Sequence, residues 1–225
     1  MKTIQPFDFL PPLLQRKPFV DDSNVDYSFT RFVNFKILIM PGLHGSDHDH
    51  WQSAWELWYP EFQRVEQVDW ENAELDNWAR RLVECATGSS RPVIVVAHSF
   101  GCLATVRASI LQPGLIAGAL LVAPADPARF DVESHLPGSI LGIPTMMVAS
   151  TNDPYMELGR AGKWANRWDS QMVTLQDAGH INVESGYRSW PRGLELLESV
   201  CQRALNVGAA NSRLSKFPEQ SFIFG

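Results

Sequence analysis

The chain has 225 residues, 45% of them hydrophobic, and a formal net charge of −6 at pH 7. This length and apolar content fit one domain with a sizeable core. Because the charge is mildly acidic and lysine and arginine form no cluster, we expect neither nucleic acid nor an anionic membrane surface as a partner. A small-molecule substrate suits this composition better.

The cysteines and the N-terminal residues indicate a compartment. Cys85, Cys102 and Cys201 are far apart and form no Cys-x-x-Cys pair, which argues against a disulfide framework and a structural zinc. Prolines interrupt every apolar run of the opening MKTIQPFDFLPPLLQ, so it lacks the core of a signal peptide. No stretch reaches the roughly 18 apolar residues of a transmembrane helix. We therefore expect a cytoplasmic protein.

The two ends of the chain differ from its middle. Residues 1–34 are proline-rich and aperiodic, which predicts an extended arm that is also a candidate contact for a homodimer. Residues 35–205 are predicted to form the domain. Residues 206–225 form a polar tail, to which we assign no element and for which we favour disorder.

Within the domain, short apolar runs alternate with longer amphipathic segments. The runs are FKILIM, RVEQVDW, PVIVVA, AGALLVA, PTMMVAS and QMVTLQ. Runs of this kind are typical of strands buried on both faces. The helical candidates between them are HWQSAWELWY, ELDNWARRLVECA and GLELLESVCQRAL. The alternation predicts an α/β fold with a mostly parallel sheet of about six strands flanked by helices.

The stretch AHSFG, residues 97–101, lies where a buried strand ends and a helix begins. In this context a pattern of the Gly-x-Ser-x-Gly type marks a nucleophilic serine, Ser99, on a tight turn. The turn requires small residues two before and two after the serine, and Ala97 and Gly101 satisfy it. The helix N-terminus directs backbone N–H groups toward an anion formed there. We interpret His98 as a packing residue, because its side chain leaves the turn away from Ser99.

A serine nucleophile needs a base, and the base needs an acid that holds its tautomer. In a fold of this kind the order along the chain is serine, acid, histidine. His180 is the one histidine beyond both Ser99 and PTMMVAS. Asp153 directly follows PTMMVAS, and its rival Asp126 follows the preceding strand. We prefer Asp153, because the acid in this architecture usually follows the penultimate strand.

Six separated motifs resemble one family. They are PGLHGSDHDHWQSAWE, VDWENAELDNW, VVAHSFGCLA, LLVAPADP, STNDPY and GHINVESGYRSWPRGLELL. Their order over residues 36–200 is similar to that in the small α/β-hydrolases related to retinoblastoma-binding protein 9 and YdeN. The resemblance implies an α/β-hydrolase fold and a serine hydrolase triad of Ser99, Asp153 and His180. The Leu-x-Cys-x-Glu motif tied to pocket-protein binding in the animal relative does not occur here.

The stretch PGLHGSDHDHW, residues 41–51, follows the first strand, where such a hydrolase places one oxyanion-hole donor. We expect the N–H of Leu43, or less favourably of His44, to act with that of Phe100. His48 and His50 are also candidate metal ligands, but the residues after them are not the Asp-His of His-x-His-x-Asp-His zinc hydrolases. No metal and no cofactor is therefore expected.

Four side chains near these motifs are candidates for substrate binding. They are His44, His50, Trp51 and Trp190. The segment PARFDVESHLPGSILG, residues 127–142, stands where larger relatives insert a lid domain. We call it the cap segment, and its shortness implies a minimal lid and an open site.

These observations predict a serine hydrolase of carboxylesterase type that cleaves a small acyl ester or amide through an acyl-enzyme. One alternative is a non-catalytic binding module on the same fold. A further alternative, which we favour less, is a metal-dependent hydrolase that uses His48 and His50.

Overall fold

The computed structural model describes residues 31–214. Most of the predicted arm and the end of the predicted tail lie outside these residues, and so does the candidate homodimer contact. Phe32 falls within the predicted arm, yet it is fully buried. Its ring centroid lies 5.3 Å from that of Tyr59 and 5.4 Å from that of Phe62. The hydrophobic core therefore includes a residue before position 35, because the Phe32 ring packs against both of these rings.

Among the described residues, six strands form one parallel sheet in the order β2-β1-β3-β4-β5-β6. The strands are β1 Lys36–Met40, β2 Gln63–Arg64, β3 Val93–His98, β4 Ile116–Val122, β5 Thr145–Ser150 and β6 Gln171–Leu175. Every residue of β3 and β5 is buried, as expected for continuous apolar runs in a parallel sheet. The predicted fold class is confirmed.

The edge strand β2 is shorter than the run RVEQVDW predicted. Only Gln63 and Arg64 have register partners in β1. The partner strand ends at Met40 and Pro41 follows it, so the ladder stops there. Val65, the residue after β2, is still fully buried, and Val68 is 95% exposed.

In the part of the chain that the structure describes, five α-helices cover the two faces of the sheet. They are α1 Trp51–Trp58, α2 Leu75–Ala86, α3 Phe100–Leu111, α4 Leu158–Trp168 and α5 Pro191–Leu214. The three helical candidates of the sequence correspond to α1, α2 and α5. Helices α2, α3 and α4 contribute to one core cluster, and α1 and α5 to the other. None of the helices within residues 31–214 is long and apolar enough to cross a membrane.

The last helix corrects one prediction. It continues through Leu214, past residue 205, where the domain was expected to end and a disordered tail to begin. The sequence has no proline in this stretch before Pro218, and Ala209 and Ala210 favour helix. Gly208 alone does not terminate the helix.

Candidate active site

Ser99 lies on a strained turn between β3 and α3. Its φ is 53° and its ψ is −123°, a backbone conformation that is costly for a residue other than glycine. Three backbone hydrogen bonds hold it: the Ser99 N–H donates to the Val122 carbonyl at 3.1 Å, and the Ser99 carbonyl accepts from the Ala125 N–H at 3.2 Å and the Cys102 N–H at 3.0 Å. The end of β4 therefore fixes the turn that presents the Ser99 side chain.

The turn tolerates no side chain at two glycines. A Cβ at Gly101 would lie 2.3 Å from the Pro41 carbonyl oxygen and 2.4 Å from that of Met40. A Cβ at Gly42 would lie 2.7 Å from the Ser99 Cβ. The loop after β1 is thus in direct contact with both the Ser99 side chain and the start of α3.

Gly101→Ala should destabilise the protein. The added methyl group meets backbone oxygens that cannot rotate away, so α3 must shift from β1, and overpacking of this kind costs about 1–3 kcal/mol. We expect a correspondingly lower free energy of unfolding in urea. Gly138→Ala is the matched control, because a Cβ at Gly138 meets no atom within 4 Å. Equal stabilities of the two variants would contradict the proposed contact between α3 and the end of β1.

The structure brings Asp153 and His180 together. The Nδ1 atom of His180 lies 3.0 Å from each carboxylate oxygen of Asp153. The two side chains are only 8% and 2% exposed, so little water competes for this contact. Because a carboxylate accepts, Nδ1 of a neutral His180 carries the proton, and Nε2 keeps its lone pair.

Asp126 has different partners. Its carboxylate accepts a hydrogen bond from Arg160 Nη2 at 2.7 Å and another from the Ala128 N–H at 3.0 Å. It therefore caps the 3-10 turn Pro127–Phe130. Of the two candidate acids, the structure places Asp153 beside His180.

The Ser99 hydroxyl makes no hydrogen bond with any residue of the described chain. Ser99 and His180 nevertheless line the same cavity of about 500 Å³. Contacts between nucleophile and base are often long without substrate and shorten in the complex.

Side chains at the end of β5, just after it and within the loop itself hold the loop of His180 in place. Ser150 Oγ accepts a hydrogen bond from the Ala178 N–H at 2.9 Å, and Asn152 Oδ1 accepts one from the Gly179 N–H at 2.7 Å. Ser185 Oγ accepts one from the His180 N–H at 3.1 Å. The loops of Asp153 and His180 are therefore one hydrogen-bonded unit.

The loop after β1 presents a free backbone donor beside Ser99. The His44 N–H donates to the Trp70 carbonyl at 2.9 Å, so it has an acceptor already. The Leu43 N–H has no acceptor within residues 31–214. Phe100 is the first residue of α3, and its N–H is one of the first-turn donors that a helix leaves unsatisfied. Leu43 and Phe100 are thus better placed than His44 to receive an anion.

The family is decided by sequence comparison. A model of the serine hydrolase family matches residues 37–199, a range that contains Ser99, Asp153 and His180. The chain belongs to the serine hydrolase family.

Solved structures of similar hydrolases agree with this assignment. A YdeN-like hydrolase of Pectobacterium atrosepticum is 39% identical, with a TM-score of 0.75 over 78% of this chain and 95% of that one. The ydeN gene product of Bacillus subtilis is 22% identical, with a TM-score of 0.62 over 74% of this chain and 98% of that one. Mouse alpha/beta hydrolase domain-containing protein 10 is 15% identical, with a TM-score of 0.55 over 76% and 89% of the two chains. The last two show the fold alone. Comparison with curated protein sequences found no match.

Two of the predicted substrate-binding residues line the cavity of this serine hydrolase. His44 is largely exposed, and its Nδ1 lies 2.9 Å from Glu71 Oε2. His50 is buried and caps α1, where its Nδ1 accepts a hydrogen bond from the Gln52 N–H at 3.2 Å. Burial lowers the pKa of His50 to about 4, so its imidazole is neutral at physiological pH.

The prediction that Trp51 and Trp190 bind substrate needs correction, because neither lines the cavity. Trp51 is 0% exposed, and its Nε1 donates to the Ile181 carbonyl at 2.9 Å. The Trp190 ring packs 5.2 Å from that of Trp51 and stacks 6.0 Å from that of Trp55. All three rings belong to one core cluster: Trp51 and Trp55 lie four residues apart on the buried face of α1, and Trp190, just before α5, packs onto them.

Other lining residues were not predicted. Tyr155 packs edge-on against the His180 ring, with centroids 4.5 Å apart. The Arg129 guanidinium lies 5.6 Å from the centroid of Tyr155 and donates to the Pro154 carbonyl at 2.7 Å. Phe130, in the cap segment, also lines the cavity. The position of Tyr155 two residues after the candidate acid was a signal that could have identified it.

The histidines of the metal alternative lie in different environments. The His48 side chain is 91% exposed, whereas His50 is buried and caps a helix. Within residues 31–214, no group of three or more His, Cys, Asp and Glu side chains is arranged to hold a metal ion.

Proposed function

We propose that this serine hydrolase cleaves a small acyl ester or amide through an acyl-enzyme, with Ser99 as nucleophile, His180 as base and Asp153 as the acid that orients it. The observation that carries the proposal is the pair of 3.0 Å contacts between His180 Nδ1 and Asp153, in a loop that lines the same cavity as Ser99. A buried carboxylate on Nδ1 leaves Nε2 as the atom that accepts a proton.

In the first half of the reaction, Nε2 of His180 takes the Ser99 proton while Oγ bonds to the substrate carbonyl carbon. The carbonyl oxygen becomes an anion, and the N–H groups of Leu43 and Phe100 donate to it. His180 then gives its proton to the leaving oxygen or nitrogen, the bond to that atom breaks, and the acyl group remains on Ser99.

In the second half, His180 takes a proton from water, and the hydroxide oxygen bonds to the acyl carbon. The same two N–H groups hold the second anion. The bond to Oγ breaks, and His180 returns the proton to Ser99. Each proton and electron pair is accounted for by these side chains, the substrate and water, so the sequence of steps needs no cofactor.

The short cap segment supports a small substrate. It contributes two short 3-10 turns, Pro127–Phe130 and Glu133–His135. The cavity of about 500 Å³ lies within the ordinary range for small-molecule sites.

A fluorophosphonate should label Ser99 and add one phosphonyl group per chain. We expect this because only a hydroxyl with a base and an oxyanion hole beside it reacts readily with such a probe. Intact mass followed by peptide mapping measures the reaction, and Ser99→Ala should take up no label. An unchanged mass after prolonged exposure would favour the binding module over the enzyme.

A further inference from the structure

His98, the last residue of β3, is buried but forms a long-range hydrogen bond. It is 6% exposed, and its Nε2 lies 2.9 Å from the main-chain oxygen of His180. A carbonyl oxygen only accepts, so Nε2 of His98 must carry the proton and donate. The residue next to the nucleophile is therefore bonded to the backbone of the candidate base.

The packing around His98 keeps it neutral. Its ring centroid lies 4.8 Å from that of His180 and 4.9 Å from that of His50. The pKa of His98 is lowered well below its usual value, first by burial and then by His180 and His50. His98 therefore donates to the His180 backbone without competing for the proton that His180 must accept.

The backbone around His180 needs external support. The φ of Ile181 is 50° and that of Asp177 is 49°, and a positive φ is particularly unfavourable for a β-branched residue such as isoleucine. Such strain persists only where surrounding contacts over-determine it. The Trp51 indole holds the Ile181 carbonyl at 2.9 Å, and His98 holds the carbonyl one residue before it.

Among these contacts, the bond from His98 is the one that links the His180 loop to the strand directly before Ser99. The bonds from Ser150 and Asn152 join residues 178 and 179 to the end of β5. Within residues 31–214, the bond from His98 is the one hydrogen bond between β3 and residues 177–185. It is therefore placed to set where His180 stands relative to Ser99.

We propose that His98 is a positioning residue, whose Nε2–H holds the main chain of His180 so that the imidazole of His180 reaches the Ser99 hydroxyl. The proposal rests on the proposed function. It departs from the interpretation of His98 as packing alone, because a packing role requires volume, whereas this role requires a donor at Nε2.

Two substitutions with side chains of similar length distinguish the effect of the hydrogen-bond donor at position 98 from the effect of side-chain volume. His98→Met keeps an unbranched side chain and removes the donor, whereas His98→Gln places an amide N–H near the former Nε2. Displacement of a reacting group by about 1 Å can lower a rate about 100-fold. We expect His98→Met to lower kcat for a p-nitrophenyl ester about 10- to 100-fold with KM within about twofold, and His98→Gln to recover most of the loss.

A second measurement shows whether His98 acts through His180. In a His180→Ala background, adding His98→Met should leave the slow fluorophosphonate labelling of Ser99 unchanged, because the group that His98 positions is gone. A further loss of labelling in the double variant would assign His98 to the structure of the turn instead.

Melting temperatures guard against unfolding. If His98→Met melts much lower than the unsubstituted protein, the comparison passes to His98→Asn, whose shorter amide stays polar but cannot reach the carbonyl. The His98→Asn variant should then have a low kcat, and the His98→Gln variant a kcat close to that of the unsubstituted protein. Equal rates for the donor and non-donor variants in an active enzyme would overturn the positioning role. An unsubstituted protein that neither takes up label nor cleaves esters or amides would instead overturn the proposed function.

Discussion

Ser99→Ala should lower kcat by about 10⁶-fold, the scale found when a serine nucleophile is removed from a comparable triad. The methyl group fits where the hydroxyl stood, and the Ser99 backbone bonds to Val122 and Ala125 do not use the side chain. The fold should therefore survive while the acyl-enzyme can no longer form. Hydrolysis of a p-nitrophenyl ester measures the loss, and circular dichroism measures the fold.

Ser109→Ala is the matched control. Ser109 lies on the same helix, and its Oγ donates to the Val106 carbonyl at 2.8 Å, but it does not line the cavity. Its activity should stay within about twofold of the unsubstituted protein, as for substitutions outside a site. If Ser99→Ala retained full activity, water or another group would have to attack the substrate, and the proposed acyl-enzyme would be wrong.

Asp153→Asn should lower kcat by about 10³- to 10⁴-fold, the scale known for a triad acid. The side chain keeps its shape, but its amide presents N–H groups where His180 Nδ1–H needs an acceptor. The favoured tautomer then has its proton on Nε2, which in the proposed mechanism must accept the Ser99 proton and could no longer do so. Steady-state kinetics at fixed pH measure the effect, and a melting temperature should show that the protein remains folded.

Asp126→Asn tests the assignment of the acid. Asp126 pairs with Arg160, whose side chain is 35% exposed, and partly exposed ion pairs contribute about 0–1 kcal/mol to stability. We expect a small loss of stability and a nearly normal kcat. If Asp126→Asn lowered kcat strongly and Asp153→Asn left it nearly normal, the triad acid would be the residue after β4 rather than the one after β5.

The strands and the Ser99 turn could be predicted because their signals are local. A strand buried on both faces reads as an unbroken apolar run, and the end of β3 at AHSFG is visible within a few residues. The order of the residues along the chain then favoured Asp153, and in the structure Asp153 contacts His180. The helix α4 was missed even though Leu158, Ala161 and Trp168 lie at helical spacing, because its polar residues and two glycines obscure the pattern.

The environment of the cavity could not be predicted in the same way. Periodicity indicates that Trp51 faces inward, but it does not distinguish the floor of a cavity from the core beneath it. The contact of His98 with the backbone of His180 joins residues 82 apart in sequence. It depends on how the loop after β6 returns across the sheet, which no local pattern specifies.

The contact of Gly42 with Ser99 means that some residues lining the cavity cannot be substituted, whereas others can. Any side chain at position 42 would displace the Ser99 side chain. The shape of the cavity at Gly42 therefore cannot be changed by substitution. Arg129, Phe130 and Tyr155 line the other side from loops after β4 and β5. Their side chains are not hydrogen-bonded to Ser99, Asp153 or His180. Efforts to change which substrates this hydrolase accepts should therefore begin at Phe130, because Tyr155 packs against the His180 ring and Arg129 holds the Pro154 carbonyl beside Asp153.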